Sequence, residues 1–421
     1  VIEVELQNQQ WQMVRPSRYA RRLPMSAPFS VGGPAAGHPL MRTSADPQGR
    51  TVLGTLNNCA SSKTPWGTYL SGEENFAFYF GGADQPTPDQ SRWGARKDGF
   101  YAWEKHDARF NLKQNPNEFH RFGWVVELDP MDPTSTPIKR TALGRAAHEG
   151  AWVGVTRDGR AVVYSGEDAR FEYIYKFVSK GRMQPGGAKA NRHLLDEGTL
   201  HVARFDANGQ GQWLPLVWNQ NGLTAANGFA DQAEVLIKAR QAADRVGATM
   251  MDRPEWVAAN RTKPGEVFLA CTNNNRRGSA ATPSSNNVNG STTAGSARPA
   301  LDEANPRAVN NWGHVIRINE MGADAAALTF NWDIFVIAGN PALEGAKKGS
   351  SNIDASNTFN SPDGIQVDPE GRLWIQTDGS YANTGDFVNQ GNNQMLVADI
   401  TTKKITRFLV GPAGCEVTGV C

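Results

Sequence analysis

Short runs of apolar residues alternate with polar turns along this chain, and many of the turns contain glycine. Four segments share one form, which is a polar turn ending in glycine, an apolar stretch and a polar or acidic end. Their turn glycines are Gly49, Gly159, Gly265 and Gly371, and 106 residues separate each of the last two pairs. Turns of this kind followed by Val, Leu, Phe and Trp predict β-hairpins. Their even spacing favours a radial β array over a sandwich.

Acidic residues repeat in the same register. Glu149 and Glu255 each lie ten residues before a turn glycine, and Asp363 lies eight residues before the last one. Glu416 follows Asp363 after 53 residues and opens what looks like a further unit. A repeat of about 53 residues is the size of a four-stranded blade. We therefore expect an all-β chain folded as a β-propeller.

The longer intervals between units predict insertions into a single propeller domain that spans residues 1–421. Two insertions are expected at about 76–122 and 181–250, and a low-complexity loop at 276–308. Helical spacing from Ala233 to Arg245 predicts one helix inside the second insertion. The loop is rich in Ser, Thr, Asn and Gly. Such a composition buries too little apolar surface to offset the conformational entropy that is lost on ordering.

Composition excludes several classes of function. The chain has 43 Lys and Arg against 42 Asp and Glu, a net charge of +1. A nucleic-acid binder usually carries a clustered basic excess, so we expect no nucleic-acid partner. The sequence contains no run of 18 apolar residues, the length that could span a membrane. Four cysteines are too few for a disulfide scaffold, and Cys415 and Cys421 could pair or remain separate thiols.

The repeated acids predict metal ions on the propeller axis. Equivalent positions of neighbouring blades meet around the central channel, so Glu149, Glu255, Asp363 and Glu416 would come together there. Carboxylates in one site raise each other's pKa and cost free energy unless cations neutralise them. Calcium, which takes six to eight oxygen ligands, suits such a set. Considered one at a time, each of these acids would be interpreted as a turn or surface residue, and only their shared register favours a metal site.

Further residues could reach the same axis. Cys59 precedes a Glu-Glu-Asn segment that supplies Glu74, and a thiol among carboxylates indicates a transition metal such as iron or zinc beside calcium. Asp168 follows another apolar strand. Arg253, two residues before Glu255, can serve as a bidentate clamp for phosphate or carboxylate, or form a plain salt bridge to Glu255.

Familiar catalytic motifs are missing from the sequence. It contains no GxSxG segment, no phosphate-binding P-loop and no GxGxxG after a strand. His148 lacks the partner that the HExxH motif of zinc proteases requires, and we interpret it as a structural or supporting histidine. A mechanism without a serine nucleophile is therefore expected.

Seven segments together resemble the PhoX-type alkaline phosphatases over nearly the whole chain. They are GTLNNCASSKTPWGTYLSGEEN (54–75), AHEGA (147–151), YSGED (164–168), DRPEW (252–256), NSPDG (360–364), LWIQTDG (373–379) and GPAGCEVTG (411–419). The first block is highly specific, whereas AHEGA or NSPDG alone would be a weak signal. Their order and spacing also match the family.

The resemblance implies hydrolysis of small phosphate monoesters by a six-bladed propeller. It also implies iron, as Fe(III), and calcium, as Ca²⁺, on the axis, and a periplasmic or secreted protein exported by a twin-arginine signal. Four to five of the six blades correspond to this chain. A ring lacking the others would expose sheet edges, so we expect such a chain to be impaired unless it closes as a smaller ring.

The family's functional residues carry over position by position. Cys59 resembles a cysteine ligand of iron with a catalytic role, and Arg253 resembles the catalytic arginine that binds the phosphoryl oxygens. Asn360 or Asp363 would be a calcium ligand. The remaining matches are carboxylates that hold iron or calcium: Glu74, Glu149, Asp168, Glu255 and Glu416.

Two other functions remain open from the residues alone. One is a calcium-dependent lactonase-type propeller, which needs fewer ligands and no cysteine. The other is a non-catalytic propeller whose acids hold structural calcium while its rim loops bind a partner. Metal content separates them, because only the phosphatase requires iron together with calcium. We expect the protein to be a monomer.

Overall fold

The computed structural model describes residues 1–279, 299–379 and 383–420. Its strands are β1 Val4–Gln7, β2 Gln10–Met13, β3 Pro28–Gly32, β4 Thr51–Leu53, β5 Asn58–Lys63, β6 Tyr69–Glu73, β7 Val125–Leu128, β8 Ile138–Arg140, β9 Trp152–Val155, β10 Arg160–Gly166, β11 Ile174–Arg182, β12 Gly198–Asp206, β13 Gln210–Pro215, β14 Pro254–Ala259, β15 Glu266–Cys271, β16 His314–Glu320, β17 Thr329–Ile337, β18 Pro362–Val367, β19 Arg372–Thr377, β20 Gln394–Asp399 and β21 Ile405–Val410. The α-helices are α1 Pro88–Arg92, α2 Gly187–Ala190, α3 Gln232–Ile237 and α4 Ala239–Val246.

The strands form four successive antiparallel blades of a propeller-like all-β fold, as predicted. The first blade is β5–β8, the second β9–β12, the third β14–β17 and the fourth β18–β21. β3 pairs in parallel with β8 and β4 lies outside it, while β13 bridges the outer edges of the second and third blades. The innermost strands β5, β9, β14 and β18 lie side by side in this order.

Hydrophobic side chains fill the spaces between the blades. Between the first and second blades lie Leu70, Val125, Val153 and Val163. Between the second and third lie Val162, Tyr164, Val257 and Leu269. Between the third and fourth lie Ala258, Phe268, Ile365 and Leu373. Because both faces of a blade are covered, strands such as β10 and β15 read as continuous apolar runs rather than as alternating ones.

The tight turn between the first and second strand of each blade contains a glycine with a left-handed backbone. These glycines are Gly67, Gly159, Gly265 and Gly371, with φ between 80° and 91°. The prediction that Gly49 begins the first repeat is therefore wrong. Gly49 precedes β4, which lies at the far edge of the first sheet, and its Asp-Pro-Gln-Gly turn resembles the others only locally.

Glycines also let one blade approach the next at the axis. A Cβ atom at Gly166 would lie 1.9 Å from the carbonyl oxygen of Glu255, and one at Gly72 would lie 2.3 Å from that of His148. Both glycines are near the end of the second strand of a blade. A larger residue there would push away the strand that follows on the next blade.

The predicted insertions differ from expectation in their contents. Residues 76–122 form α1 and short 3₁₀-helices that pack on the first blade around Phe76, Phe80 and Phe119. The range 181–250 includes strands β12 and β13, so much of it belongs to the sheet. The single helix predicted from Ala233 is two helices, α3 and α4, which meet at Lys238. Residues 280–298 of the predicted loop lie outside the described residues.

No helix among residues 1–279, 299–379 and 383–420 combines the length and the apolar character needed to cross a bilayer.

Candidate metal centre

The residues of the acidic register stand at the start of the four innermost strands. Cys59, Glu255 and Asp363 are the second residues of β5, β14 and β18. Glu149 lies just before β9, where its backbone amide donates to the carbonyl of Gly166 and its own carbonyl accepts from the amide of Ala60 on β5. Cys59 is thus the first-blade counterpart of the acids.

These side chains meet in three overlapping groups. The potential ligand atoms within each group all lie within 4.8 Å of one another. The groups are Cys59 with Glu74 and Glu149; Glu149 with Glu255 and Asp363; and Asp363 with Asp378 and Glu416. Because Glu149 and Asp363 each belong to two groups, the three form one continuous cluster across the axis. The structure thus brings together Glu149, Glu255, Asp363 and Glu416, the four acids of the predicted register.

A second set of polar residues comes from the ends of the second strands. Glu74 follows β6 directly, Asp168 follows β10, Asn273 follows β15 and Asp378 follows β19. Sequence reasoning missed Asp378. Its signal was present, because Asp378 lies beyond the apolar run that follows Gly371 just as Asp168 lies beyond the run that follows Gly159.

The backbone leading into three of the inner strands has an unusual conformation. Asn57, Arg253 and Ser361 have φ angles of 47°, 53° and 50°. Each lies two residues before the register residue of its blade. Non-glycine residues rarely adopt this left-handed conformation, and such strain concentrates at functional sites. Its recurrence in three blades indicates that the positions of Cys59, Glu255 and Asp363 are specified by the fold.

Arg253 places a positive charge at the centre. Its Nε and one terminal nitrogen donate to the two carboxylate oxygens of Asp168 at 2.7 and 2.9 Å. A terminal nitrogen also lies 3.5 Å from Glu255 Oε1. Burial disfavours the charged form of Asp168, but Arg253 outweighs it and holds the pKa of Asp168 below its ordinary value. Asp168 is therefore an ionised partner that fixes the orientation of the guanidinium.

The other acids are held in an environment that resists their ionisation. Burial and the neighbouring carboxylates raise the pKa values of Glu149, Glu255 and Asp363 well above the ordinary range. Burial and Asp168 raise the pKa of Glu74 to about 9. Burial raises the pKa of Cys59 to about 12. The thiol of Cys59 donates to Glu149 Oε1, and the two atoms are 2.8 Å apart. Cations bound among these groups would lower their pKa values again, because cations stabilise the charged forms.

Unpaired polar atoms mark the fourth-blade side of the cluster. Asn360 is 1% exposed, and neither its Oδ1 nor its Nδ2 has a hydrogen-bond partner in the described part of the chain. Asp363 Oδ1 is also buried without a partner there. Leaving a buried polar group unpaired costs about 1–3 kcal/mol. A hard cation bound to oxygens of Asn360 and Asp363 would remove that cost, so the residues present fit a calcium ion. The sequence left the choice between these two open; Asp363 belongs to two of the three groups, and Asn360 has buried polar atoms that a cation could satisfy.

Several neighbouring residues serve the fold instead. Glu73 binds the ammonium of Lys139 at 2.7 Å, and Glu167 binds Arg240 Nε at 2.6 Å. His148 lies between the Ser165 hydroxyl and the Gly144 carbonyl, at 2.7 and 2.9 Å, and burial lowers its pKa. The pairing of Cys415 with Cys421 lies outside the described residues.

A cavity of about 440 Å³ opens beside the centre. Glu74, Asp168 and Arg253 line it together with Phe78 and Arg96 from the first insertion. A small anionic molecule can therefore reach Arg253 from outside. The site combines a cluster of oxygen ligands, one thiol and an accessible guanidinium, a combination suited to binding a phosphoryl group next to metal ions.

Comparison with known proteins agrees with this geometry. The family model described as "Alkaline phosphatase PhoX" matches residues 1–421. A solved structure, Pseudomonas fluorescens PhoX in complex with vanadate, a transition state analogue, is 52% identical with a TM-score of 0.92. The match covers 99% of this chain and 71% of that one. No curated protein matches the chain.

Proposed function

The chain belongs to the PhoX alkaline phosphatase family, and on that premise we propose that it hydrolyses phosphate monoesters at metal ions held by the axial cluster. The observation that carries this proposal is the convergence of Cys59, Glu149, Glu255 and Asp363 from four blades beside Arg253. The family model and the solved structure that is 52% identical both favour the phosphatase over a lactonase or a binding propeller. Small phosphate monoesters are the substrates, and inorganic phosphate is a product.

The family resemblance implies iron and calcium, and the chemistry of the donors indicates which group of ligands suits each metal. The group of Cys59, Glu74 and Glu149 includes a thiol, a ligand that favours a transition metal, and we assign it to iron. The groups around Asp363 offer only oxygens, and we assign these to calcium, with the buried Asn360 as a further candidate ligand. When bound, the ions supply Lewis-acid stabilisation of the phosphoryl oxygens and offset the charge of the cluster.

Arg253 binds the phosphoryl group of the substrate, and Asp168 holds the guanidinium of Arg253 in place. The guanidinium carries five N–H donors, and Asp168 accepts from two of its nitrogens at 2.7 and 2.9 Å. The remaining donors can bind phosphoryl oxygens entering from the cavity. As negative charge develops on those oxygens and on the leaving group, a fixed guanidinium stabilises it without reorganisation. The oxygen of water forms a new bond to phosphorus as the ester P–O bond breaks, and a proton from that water passes to the leaving oxygen, so that the products are inorganic phosphate and the alcohol.

The protein's place in the cell follows from the same family premise. PhoX-type phosphatases act outside the cytoplasm, so we place this protein in the periplasm or the secreted fraction. There it would release phosphate from small esters as a monomer. Neither a nucleic acid nor a membrane is needed as a partner.

Chelation tests this function directly. Incubation with a calcium chelator is expected to abolish hydrolysis of a chromogenic phosphate monoester. It should also lower the Tm by roughly 5 °C, because the folded state loses the free energy of ion binding. Both effects should reverse on adding calcium back. A control with chelator already saturated by calcium should change neither, and full activity in the chelated protein would refute the metal role.

A further inference from the structure

Another cavity lies at the opposite end of the inner strands from the metal centre. Its volume is about 540 Å³, and it is lined by Val155 and Ala259, the last residues of β9 and β14. Glu255 of the axial cluster lies four residues before Ala259 on the same strand, and four residues of extended chain span about 13 Å. The described residues that line this cavity include no member of the axial cluster. It is therefore a separate place on the propeller.

The walls of this cavity are mostly apolar and come from the second and third blades. Val162 and Tyr164 of β10 line it, together with Trp152 of β9 and Val267 of β15. The hydroxyl of Tyr164 already donates to a carboxylate oxygen of Glu320 at 2.7 Å. Sites for small molecules are typically apolar cavities of about 300–1,000 Å³ with a few polar groups. The size and the lining therefore suit one small molecule.

The indole of Trp152 provides a flat surface in the cavity. The ring lies over Gly154, where a Cβ atom would be only 2.6 Å from Cζ3 of the indole. Its centroid is 6.2 Å from that of the Tyr164 ring. Trp152 is partly exposed, so a planar ring that enters the cavity can stack on it, an arrangement that aromatic pairs favour.

Arg261 adds a positive charge beside this ring. Its guanidinium carbon lies 5.8 Å from the centre of the Trp152 ring, and the side chain is exposed and lines the cavity. The guanidinium of Arg261 forms no hydrogen bond or ion pair with another residue that the structure describes. The exposed Arg372, in contrast, binds Asp368 at 2.6 Å. A guanidinium offers a planar fork of donors that matches a carboxylate, and at Arg261 the fold leaves this fork unused.

We propose that this cavity binds a small aromatic carboxylate, with its ring on Trp152 and its carboxylate on Arg261. Asp324 also lines the cavity, but its Oδ1 accepts from the amides of Arg157 and Ala326 at 3.2 and 3.1 Å. The side chain of Arg157 adds a second positive charge at the same rim. The site lies apart from the metal centre, so the proposal does not depend on the phosphatase function.

A pair of matched probes tests the charge. The anion 2-naphthoate and its uncharged amide, 2-naphthamide, share one ring system and have nearly the same shape. Isothermal titration of the whole protein should give a Kd for 2-naphthoate on the order of 0.1–1 mM, as expected for a ligand of this size. The amide should bind about fivefold more weakly, because it lacks the charged partner of a partly exposed guanidinium.

Two variants assign the binding to this cavity. In Arg261→Gln the Kd for 2-naphthoate should rise by about fivefold, whereas that for 2-naphthamide should change by less than about twofold. In Gly154→Ala the added methyl group must displace the indole of Trp152, so both probes should bind about fivefold or more weakly. The backbone of Gly154 is not left-handed, so alanine should leave the fold intact and the Tm nearly unchanged.

Arg253→Lys controls for binding of the carboxylate at the metal centre. In this variant the Kd for 2-naphthoate should stay within about twofold of that of the parent, because Arg253 does not line the second cavity. Equal affinity for the two probes, an unchanged Kd in Gly154→Ala, or no binding of 2-naphthoate at about 10 mM would each overturn the proposal. Hydrolysis of phosphate monoesters is measured separately, and its loss would bear only on the phosphatase function.

Discussion

Glu255→Gln is expected to lower kcat/KM for phosphate monoesters by about 100-fold or more. Glu255 lies with Glu149 and Asp363 in the central group of potential ligands and 3.5 Å from the guanidinium of Arg253. Glutamine keeps the size of the side chain but removes its charge. Loss of even a supporting residue of a metal site costs roughly 10–100-fold in affinity or activity, and loss of a ligand should cost more.

The same variant should have the opposite effect on the stability of the chelated protein. Burial and nearby carboxylates raise the pKa of Glu255, so without cations its charged form is unfavourable and glutamine relieves the repulsion. Urea unfolding with chelator should therefore show equal or greater stability than the parent. A lower stability in chelator would contradict a metal-binding role and indicate a structural one.

Glu320→Gln is the matched control. Glu320 is a buried carboxylate that accepts from Lys176 at 3.1 Å and from Trp213 at 3.1 Å, between the second and third blades. Because it has a cationic partner, its replacement should destabilise the protein by about 3 kcal/mol with or without chelator. Its metal content should stay that of the parent.

Arg253→Lys is expected to reduce kcat/KM by about 10²–10³-fold while the metal content stays unchanged. Lysine keeps the positive charge, but it cannot bind Asp168 with two parallel hydrogen bonds and still present donors to a phosphoryl group. Removing one preorganised donor to a developing charge typically costs this much. Steady-state kinetics with one phosphate monoester and elemental analysis of the variant provide the measurement.

Arg317→Lys controls for the loss of a bidentate pair as such. Arg317 binds Asp333 at 2.8 and 3.0 Å in the third blade, the same geometry as Arg253 with Asp168. That pair lies across β16 and β17, away from the axis, so activity should not change. Unaltered kcat/KM in Arg253→Lys would show that Arg253 does not bind the phosphoryl group.

The sequence was sufficient to predict the fold and the convergence of its acids because blade repeats place equivalent residues together. Glu149, Glu255 and Asp363 could be aligned on their turn glycines. Cys59 could not be placed in this register, because the turn at Gly49 has the same kind of sequence as the turns between the first and second strands of the blades. In the first blade that turn contains Gly67 instead. Local turn chemistry is alike at both positions, and only strand pairing tells them apart.

The polar residues that follow the second strand of each blade were harder to identify from the sequence. Asp378 follows β19 as Asp168 follows β10, yet a polar residue after a strand is common and carries little weight until its neighbours are known. The break between α3 and α4 at Lys238 was also hidden, since the helical spacing of apolar residues continues across it. The identity of the metals came from the resemblance, because carboxylates alone do not distinguish among hard cations.

Elemental analysis of the protein as purified tests the central claim most directly. If Cys59, Glu149, Glu255 and Asp363 share cations, the preparation should contain iron and more than one calcium ion per chain, and Glu255→Gln should contain less. A fully active preparation that contains neither metal would contradict the account.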